Sequence, residues 1–333
     1  MIYFRNISLS FLDKVIYDKI TWTIQSRSRI GLVGDNGTGK TTLFRAILGE
    51  IIPDSGSIEI PNIKQIKIGY LPQDLVELDS IAVIEYLKNI SDISTLEKNI
   101  HEIENKISQC KEHDENYAQL TKKYAELTAI YSSQDGYFFE AKARQTLKGF
   151  GFRDSDALRN CAEFSGGWKM RILLSSILLT RPNIMLLDEP TNHLDTESME
   201  WLESYLKDYD GTLVTISHDR FFLDKIVTQI AELSSGHINI YKGNYSYYLK
   251  EKERRQAALK KEMELQKAQI KKTEQFIERF RYKATKAAQV QSRVKMLDKY
   301  HQVSDEKKAK KVLMKFPDAV SYTHLTLPTK RIV

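Results

Sequence analysis

Cysteine is scarce: Cys110 and Cys161 are the only two in 333 residues. Two thiols exclude a disulfide scaffold and a cysteine-built zinc cluster. Seven prolines and fifteen glycines exclude collagen-like or low-complexity organisation. Long hydrophobic runs are also lacking. The longest, Ile172–Leu179, contains Ser175 and Ser176 and lies between Arg171 and Arg181. It is less than half the length needed to span a bilayer. The N-terminal MIYFRNISLSF has no basic stretch followed by an apolar core, so it does not read as a secretory signal. These absences predict a cytoplasmic chain with free thiols and no membrane partner.

What is present is a globular composition, 41% hydrophobic and 28% charged, with a length that suggests about two units. The net charge of +6 hides an asymmetry. Residues 1–249 hold 27 Lys+Arg against 34 Asp+Glu, whereas residues 250–311 hold 20 against 9. An acidic body therefore carries a strongly basic segment, and nucleic acid is the first partner that such a segment suggests.

The body alternates strands and helices. Ser28–Val33 is a short apolar run ending in a glycine-rich loop, with a helix-forming stretch after it. Ser57–Ile60 and Ile66–Tyr70 alternate as half-buried strands do. Ile184–Leu187 is continuously apolar, as a buried parallel strand should be. Leu213–Ile216, Gln229–Leu233 and, after a Ser235–Gly236 turn, His237–Tyr241 complete the set. Strands separated by helices imply an α/β fold with a mostly parallel sheet covered on both faces.

Two stretches break that rhythm. Leu96, Ile100, Ile103, Ile107 and Cys110, then Leu120, Tyr124, Leu127 and Tyr131, recur at steps of three and four on either side of a polar cluster. This predicts an antiparallel helical hairpin with one narrow apolar seam per arm. From Tyr245 onward, Leu259, Met263, Ile270 and Ile277, and later Ala287, Val290, Val294 and Leu297, predict a second long helical pair turning near Arg281–Ala284. Between Arg279 and Leu297 no residue is acidic, while Arg279, Arg281, Lys283, Lys286, Arg293 and Lys295 are interleaved with Phe280 and Tyr282. Solvated helix faces usually mix signs, as Lys250–Glu264 does. One-signed charge with aromatics favours RNA contact by phosphate pairing and stacking.

Gly34-Asp35-Asn36-Gly37-Thr38-Gly39-Lys40-Thr41, with Thr42 following, matches a phosphate-binding loop between a strand and a helix. Its glycines let backbone N–H groups wrap an anion at a helix N-terminus. Lys40 is expected to reach the β- and γ-phosphates, and the Thr41 hydroxyl to ligate Mg²⁺. Ile184–Leu187 ends in Asp188, expected to hold Mg²⁺, and Glu189, expected to orient the attacking water as general base. Ser165, a natural N-cap, and Gly166 and Gly167 open another helix 23 residues before Asp188, where an anion can approach closely.

SGG at 165–167, LLDEPTNHLD at 186–195 and ISHDR at 216–220 together resemble the ATP-binding cassette superfamily. Trp168 after SGG and Thr191–Asp195 resemble its ABC-F branch, soluble proteins that act on ribosomes and carry two cassettes in one chain. Phe276–Ala287 with Gln291-Ser292-Arg293 is similar to the inter-cassette linker of that branch. The resemblance spans about residues 1–318. It implies a P-loop cassette with a parallel core, an antiparallel β subdomain and a helical subdomain, followed by the basic hairpin. It places Gln73 in a loop that senses Mg²⁺ and the attacking water, and His218 at the γ-phosphate. Phe11 lies where the family stacks an aromatic on adenine; Phe4, Tyr17 and Trp22 nearby leave a core role for it nearly as open. The resemblance further implies that ATP on Lys40 and Thr41 of one cassette is completed by Ser165 and Gly167 of a facing one. It implies binding near the ribosome's tRNA exit site, with rRNA and tRNA as partners. A membrane transporter's ATPase subunit would share the nucleotide residues without needing the basic segment. An RNA-binding helical protein with a scaffold cassette is the other alternative, against which Lys40, Asp188, Glu189 and His218 stand together.

The boundaries expected are a cassette over 1–244 with a helical arm at about 92–133, a basic linker over 245–305, and a lead-in to a second cassette over 306–319. Residues 320–333 share no periodicity with what precedes them, and Val320–Thr329 reads as one frame of a transposon-derived sequencing adapter. The expectation is an artefactual tail, with the natural protein continuing and the isolated chain hydrolysing ATP poorly.

Overall fold

A computed structural model describes residues 1–280, apart from Asp13, Leu75 and 111–114, together with Ser292. The chain divides into two units, Met1–Glu253 and Arg254–Val333.

The first unit is built on two sheets. β1 (Ile2–Phe11) and β2 (Lys14–Ile24) pair antiparallel, and β4 (Ser55–Glu59) adds to the other edge of β1. The second sheet takes β3 (Arg29–Val33), β5 (Ile68–Leu71), β6 (Ile184–Asp188), β7 (Thr212–Ile216), β8 (Gln229–Ser234) and β9 (His237–Lys242). Its order is β5-β6-β7-β3-β8-β9, parallel except for β9, which pairs antiparallel with β8.

The continuous apolar runs acquire their meaning here. Side chains alternate across a strand, so a strand buried on both faces needs apolar residues at every position. Ile184 and Leu186 of β6 face the antiparallel sheet, with Phe4, Tyr17, Leu43 and Phe44 in the same core. Met185 and Leu187 face a second core, with Ile172, Leu202 and Phe222. α1 (Lys40–Ile47) lies in the first core. α2 (Val83–Ile90), α5 (Phe139–Gly149), α6 (Gly166–Thr180), α7 (Thr196–Lys207) and α8 (Arg220–Ile226) supply the second.

The predicted helical hairpin is present. α3 (Ile93–Gln109) and α4 (Glu115–Ser133) pack on each other, joined near the seam by Tyr124 Oη donating to Glu104 Oε1 at 3.1 Å and Tyr131 Oη to Glu97 Oε1 at 3.0 Å. The start of the second predicted pair is a single helix, α9 (Tyr245–Phe280). Arg281, Lys283, Lys286, Arg293 and Lys295, the turn near 281–284 and the segments 306–319 and 320–333 lie outside the described residues. Of Arg279 only the backbone, in the last turn of α9, is described. Among the described residues no helix is long and apolar enough to cross a membrane.

Candidate functional site

β3, β7 and β6 are neighbours and parallel, so their carboxyl ends open on one edge of the sheet. That edge is where open α/β sheets place ligands. The loop after β3 is Gly34–Gly39, β6 ends in Asp188, and β7 leads to His218.

The phosphate loop is held from beneath by β2. The Tyr17 hydroxyl donates to the Gly39 carbonyl at 2.6 Å, and Lys14 Nζ donates to the Gly37 carbonyl at 3.0 Å. Tyr17 is fully buried, and burial pushes its phenol well above its ordinary pKa, so it remains a donor. Gly39 has φ of 102°, and a Cβ there would stand 2.4 Å from Ile16 Cγ2. Only glycine suits both constraints. Gly39 then starts α1, whose first-turn N–H groups at Lys40, Thr41 and Thr42 have no helical acceptor and face no acidic residue of their own turn. Lys40 Nζ lies back across the loop, donating to the Gly34 carbonyl at 2.9 Å and the Asp35 carbonyl at 3.1 Å. Asn36 is exposed on the loop's crest.

Across the edge, the Thr41 hydroxyl donates to Asp188 Oδ2 at 2.7 Å. Asp188 is only 1% exposed, and burial raises its carboxyl pKa against the opposing pull of Thr41 and Lys40. A hydroxyl and a carboxylate held together are hard oxygen donors of the kind Mg²⁺ takes. Glu189 follows, 6% exposed and at φ 52°, outside the usual region for its type. Its Oε2 accepts the His218 backbone N–H at 3.1 Å. Its Oε1 lies 3.5 Å from His218 Nε2, within ion-pair range, yet has no hydrogen-bond partner among the described residues. A buried carboxylate oxygen without a donor is an open acceptor, suited to taking a proton from a water. Burial raises the Glu189 pKa too, which brings it nearer to a working base.

Both buried carboxylates carry a stability consequence with a definite sign. A carboxyl whose pKa is higher folded than unfolded binds more protons in the folded state, so folding weakens as pH rises through the raised value. Asp188→Asn therefore gains thermal stability at neutral pH, about 2–4 °C for each kcal/mol relieved. The gap should close on acidification toward the ordinary carboxylate range. Melting curves over a pH series check this; a variant less stable than wild type at neutral pH would contradict it.

The remaining predicted residues fall at distinct places. His218 has a 69% exposed side chain at the rim. Gln73 lies exposed in the loop after β5, and no hydrogen bond joins it to Thr41 or Asp188. Phe11 ends β1 and is 47% exposed, whereas Phe4, Tyr17 and Trp22 are buried. The structure thus separates Phe11 from the core aromatics and leaves its ring exposed at the end of β1 paired with Lys14 of β2. Ser165 occupies the N-cap position of α6, but its side chain makes no capping hydrogen bond, contrary to expectation. The residue is exposed, leaving its hydroxyl available to another acceptor. A Cβ on Gly167 would come no nearer than 3.7 Å to His193, so nothing among the described residues demands glycine there. Ser165–Gly167 share no hydrogen bond with the phosphate loop.

Sequence reasoning missed two supports. One is the β2 cradle of Lys14 and Tyr17. The other is Arg171, which donates to the carbonyls of Phe150 at 3.0 Å and His193 at 2.9 Å and to Asp195 Oδ2 at 2.9 Å, beneath the Trp168 ring at 4.7 Å.

Fold and site together define a P-loop nucleotide-binding protein of the cassette type. Family models described as ABC transporter match residues 17–192 and 231–316. The chain is 36% identical over 299 residues to "Probable ATP-binding protein YheS" of Escherichia coli K12, covering 90% of this chain and 45% of that protein. It is 35% identical over 314 residues to human "ATP-binding cassette sub-family F member 3", covering 94% and 43%. The chain spans about half the length of the curated relatives it matches. Among solved structures, an ATP-binding subunit of an ABC transporter superposes with a TM-score of 0.55 at 16% identity, over 73% of this chain and 90% of that one. A bacterial Atm1-family ABC exporter with ATP bound gives 0.52 at 19%, over 75% and 40%. Those likenesses carry the fold alone. The chain belongs to the ATP-binding cassette family, in its ABC-F branch, as a cassette with its linker segment.

Proposed function

We propose that this chain binds and hydrolyses ATP and couples that cycle to binding of the ribosome near the tRNA exit site. The observation that carries the first part is the convergence of Lys40, Thr41, Asp188, Glu189 and His218 on one edge of the sheet. In this reading Lys40 and the first-turn N–H groups of α1, that of Thr42 included, hold the β- and γ-phosphates, with Asn36 and Gly37 on the loop. Phe11 stacks on the base. Thr41 and Asp188 would hold Mg²⁺, which neutralises phosphate charge when bound, with Gln73 reaching it as the site closes. Glu189 takes the proton of the attacking water, and His218 steadies the γ-phosphate.

Ser165, Gly166 and Gly167 then serve a facing cassette. An uncapped hydroxyl and a glycine that internal packing does not demand are what a surface reserved for another chain's nucleotide requires. The facing cassette is a second one in a longer protein or a second copy of this chain. The arrangement predicts weak hydrolysis wherever that face is absent. The boundaries proposed are a cassette to residue 244, a linker over 245–305 and a lead-in over 306–319, with 320–333 foreign to the protein.

Support for the ribosome comes from ABC-F kinship and from the basic segment that follows an acidic body. The test is co-sedimentation with ribosomes across a salt series, with and without ATP. Neutralising Arg279, Arg281, Lys283 and Lys286 should flatten the salt dependence by about 0.7–0.9 log units per lost phosphate contact. An unchanged slope would mean that these residues are merely solvated. Binding indifferent to ATP would favour an RNA-binding protein with a scaffold cassette.

A further inference from the structure

The root of helix α9 forms part of the nucleotide cavity. A cavity of about 300 Å³ is bounded on one side by Gly34, Asp35 and Lys40 and on the other by Tyr248, Leu249 and Lys252. All of these residues belong to the first unit. The phosphate loop therefore shares a wall with the segment that leads into the basic linker.

The contact is a built polar cluster. Glu232 of β8 is 6% exposed. Its Oε1 accepts from the Tyr248 hydroxyl at 2.8 Å and from Lys252 Nζ, and its Oε2 accepts from the Tyr241 hydroxyl at 3.0 Å. Lys252 Nζ also donates to the Tyr248 hydroxyl at 3.0 Å. The rings of Tyr241 and Tyr248 meet edge-on at 5.0 Å. Every oxygen of the carboxylate is used, which is what a buried anion needs in order to persist. The backbone seats the same turn: the Ser246 N–H donates to Asp224 Oδ1 at 2.7 Å, and the Tyr247 N–H to Asn244 Oδ1 at 3.0 Å.

Glu232 is not an arbitrary anchor. In the β3–β8 register it stands opposite Val33, the residue before the phosphate loop begins. One residue further, the Leu233 carbonyl lies so close to Gly34 that a Cβ there would approach it to 2.5 Å. A continuous chain of contacts thus runs from Lys252 and Tyr248 through Glu232 and β8 to Gly34, whose carbonyl holds Lys40. Packed networks of this kind have discrete arrangements rather than a continuous range.

We infer that Glu232, Tyr248 and Lys252 are positioning residues that couple occupancy of the phosphate loop to the seating of the α9 root, so that a bound triphosphate is reported to the linker. The inference rests on the proposal that this cavity takes ATP. When Lys40 leaves the Gly34 carbonyl for a phosphate, the loop, β8 and the α9 root settle together. Coupling is reciprocal in binding free energy, so a loosened root must also weaken ATP.

The experiment uses the full chain with Mg²⁺–ATP. Amide hydrogen exchange is followed for residues 246–252, and ATP affinity is measured by calorimetry. ATP is expected to slow exchange in that turn by about 5-fold or more. Lys252→Met should abolish that response and weaken ATP several-fold, whereas Lys252→Arg should restore both. Tyr248→Phe removes a single hydroxyl and should give an intermediate result, which serves if Lys252→Met fails to fold. A purely structural role would lower melting temperature without changing the response to ATP. Exchange indifferent to saturating ATP would overturn the coupling while leaving the nucleotide site intact. A wild-type chain that takes up no ATP would overturn the site and the coupling together.

Discussion

Glu189→Gln, placed in a chain with a facing cassette, slows ATP hydrolysis by about 10²–10⁴-fold while ATP still binds. The geometry explains why the two effects separate. Glutamine keeps the length and volume of glutamate, and its amide oxygen can still accept the His218 backbone N–H. What disappears is the open, buried carboxylate oxygen beside the His218 ring. An amide oxygen is far too weak a base to take a proton from water. The substitution also removes a buried charge, so the variant should fold at least as well as wild type. Phosphate release under single-turnover conditions reads the rate, and calorimetry reads the affinity. On ribosomes the same variant should accumulate in the ATP-loaded state. Unchanged hydrolysis would remove Glu189 from the chemistry, and unchanged co-sedimentation would weaken the ribosome reading.

Lys40→Met has its largest effect one step earlier, on affinity. Losing a partly buried cation opposite a polyphosphate costs about 2–5 kcal/mol. ATP binding should therefore weaken by at least about 30-fold. Melting temperature should move little, because among the described residues the Lys40 ammonium donates only to the Gly34 and Asp35 carbonyls. Burial lowers the Lys40 pKa, opposed by Glu189, Asp188 and Asp35. A bound phosphate favours the charged form, so wild-type ATP affinity falls as pH rises through that lowered value. The variant should lose this dependence. A variant with wild-type affinity would show that the backbone N–H groups suffice.

The strands around the site were legible because two-sided burial writes itself as an unbroken apolar run, as in Ile184–Leu187. β1 and β2 were not read residue by residue, and the structure shows why. Their buried residues are Ile2, Phe4, Ile7 and Leu9 on one strand and Ile16, Tyr17, Ile20, Trp22 and Ile24 on the other. The period of two slips between Phe4 and Ile7 and again between Tyr17 and Ile20. Asn6 at φ 49° and Lys19 at φ 48° sit in those gaps, where the pairing register shifts. A bulge inserts a residue that period counting cannot anticipate. The phosphate loop was legible because anion binding uses contiguous backbone, and Asp188 and Glu189 because they follow directly on an unbroken apolar strand. Tyr17 under Gly39, Glu232 under Tyr248 and Arg171 between Phe150 and Asp195 were not, because each joins residues 16 to 24 positions apart whose partners only the fold selects.

Arg171 has a mechanical consequence. Its guanidinium ties the first turns of α6 to the end of α5 through Phe150 and to the turn before α7 through His193 and Asp195. The Ser165–Gly167 face and the Asn192–Asp195 turn are thus tied to one another through Arg171. In the proposed facing arrangement, a rotation of these helices would carry both segments through the same arc. If that face meets a second cassette as proposed, both segments would arrive together, and the hinge of such a motion would lie outside the span that Arg171 clamps.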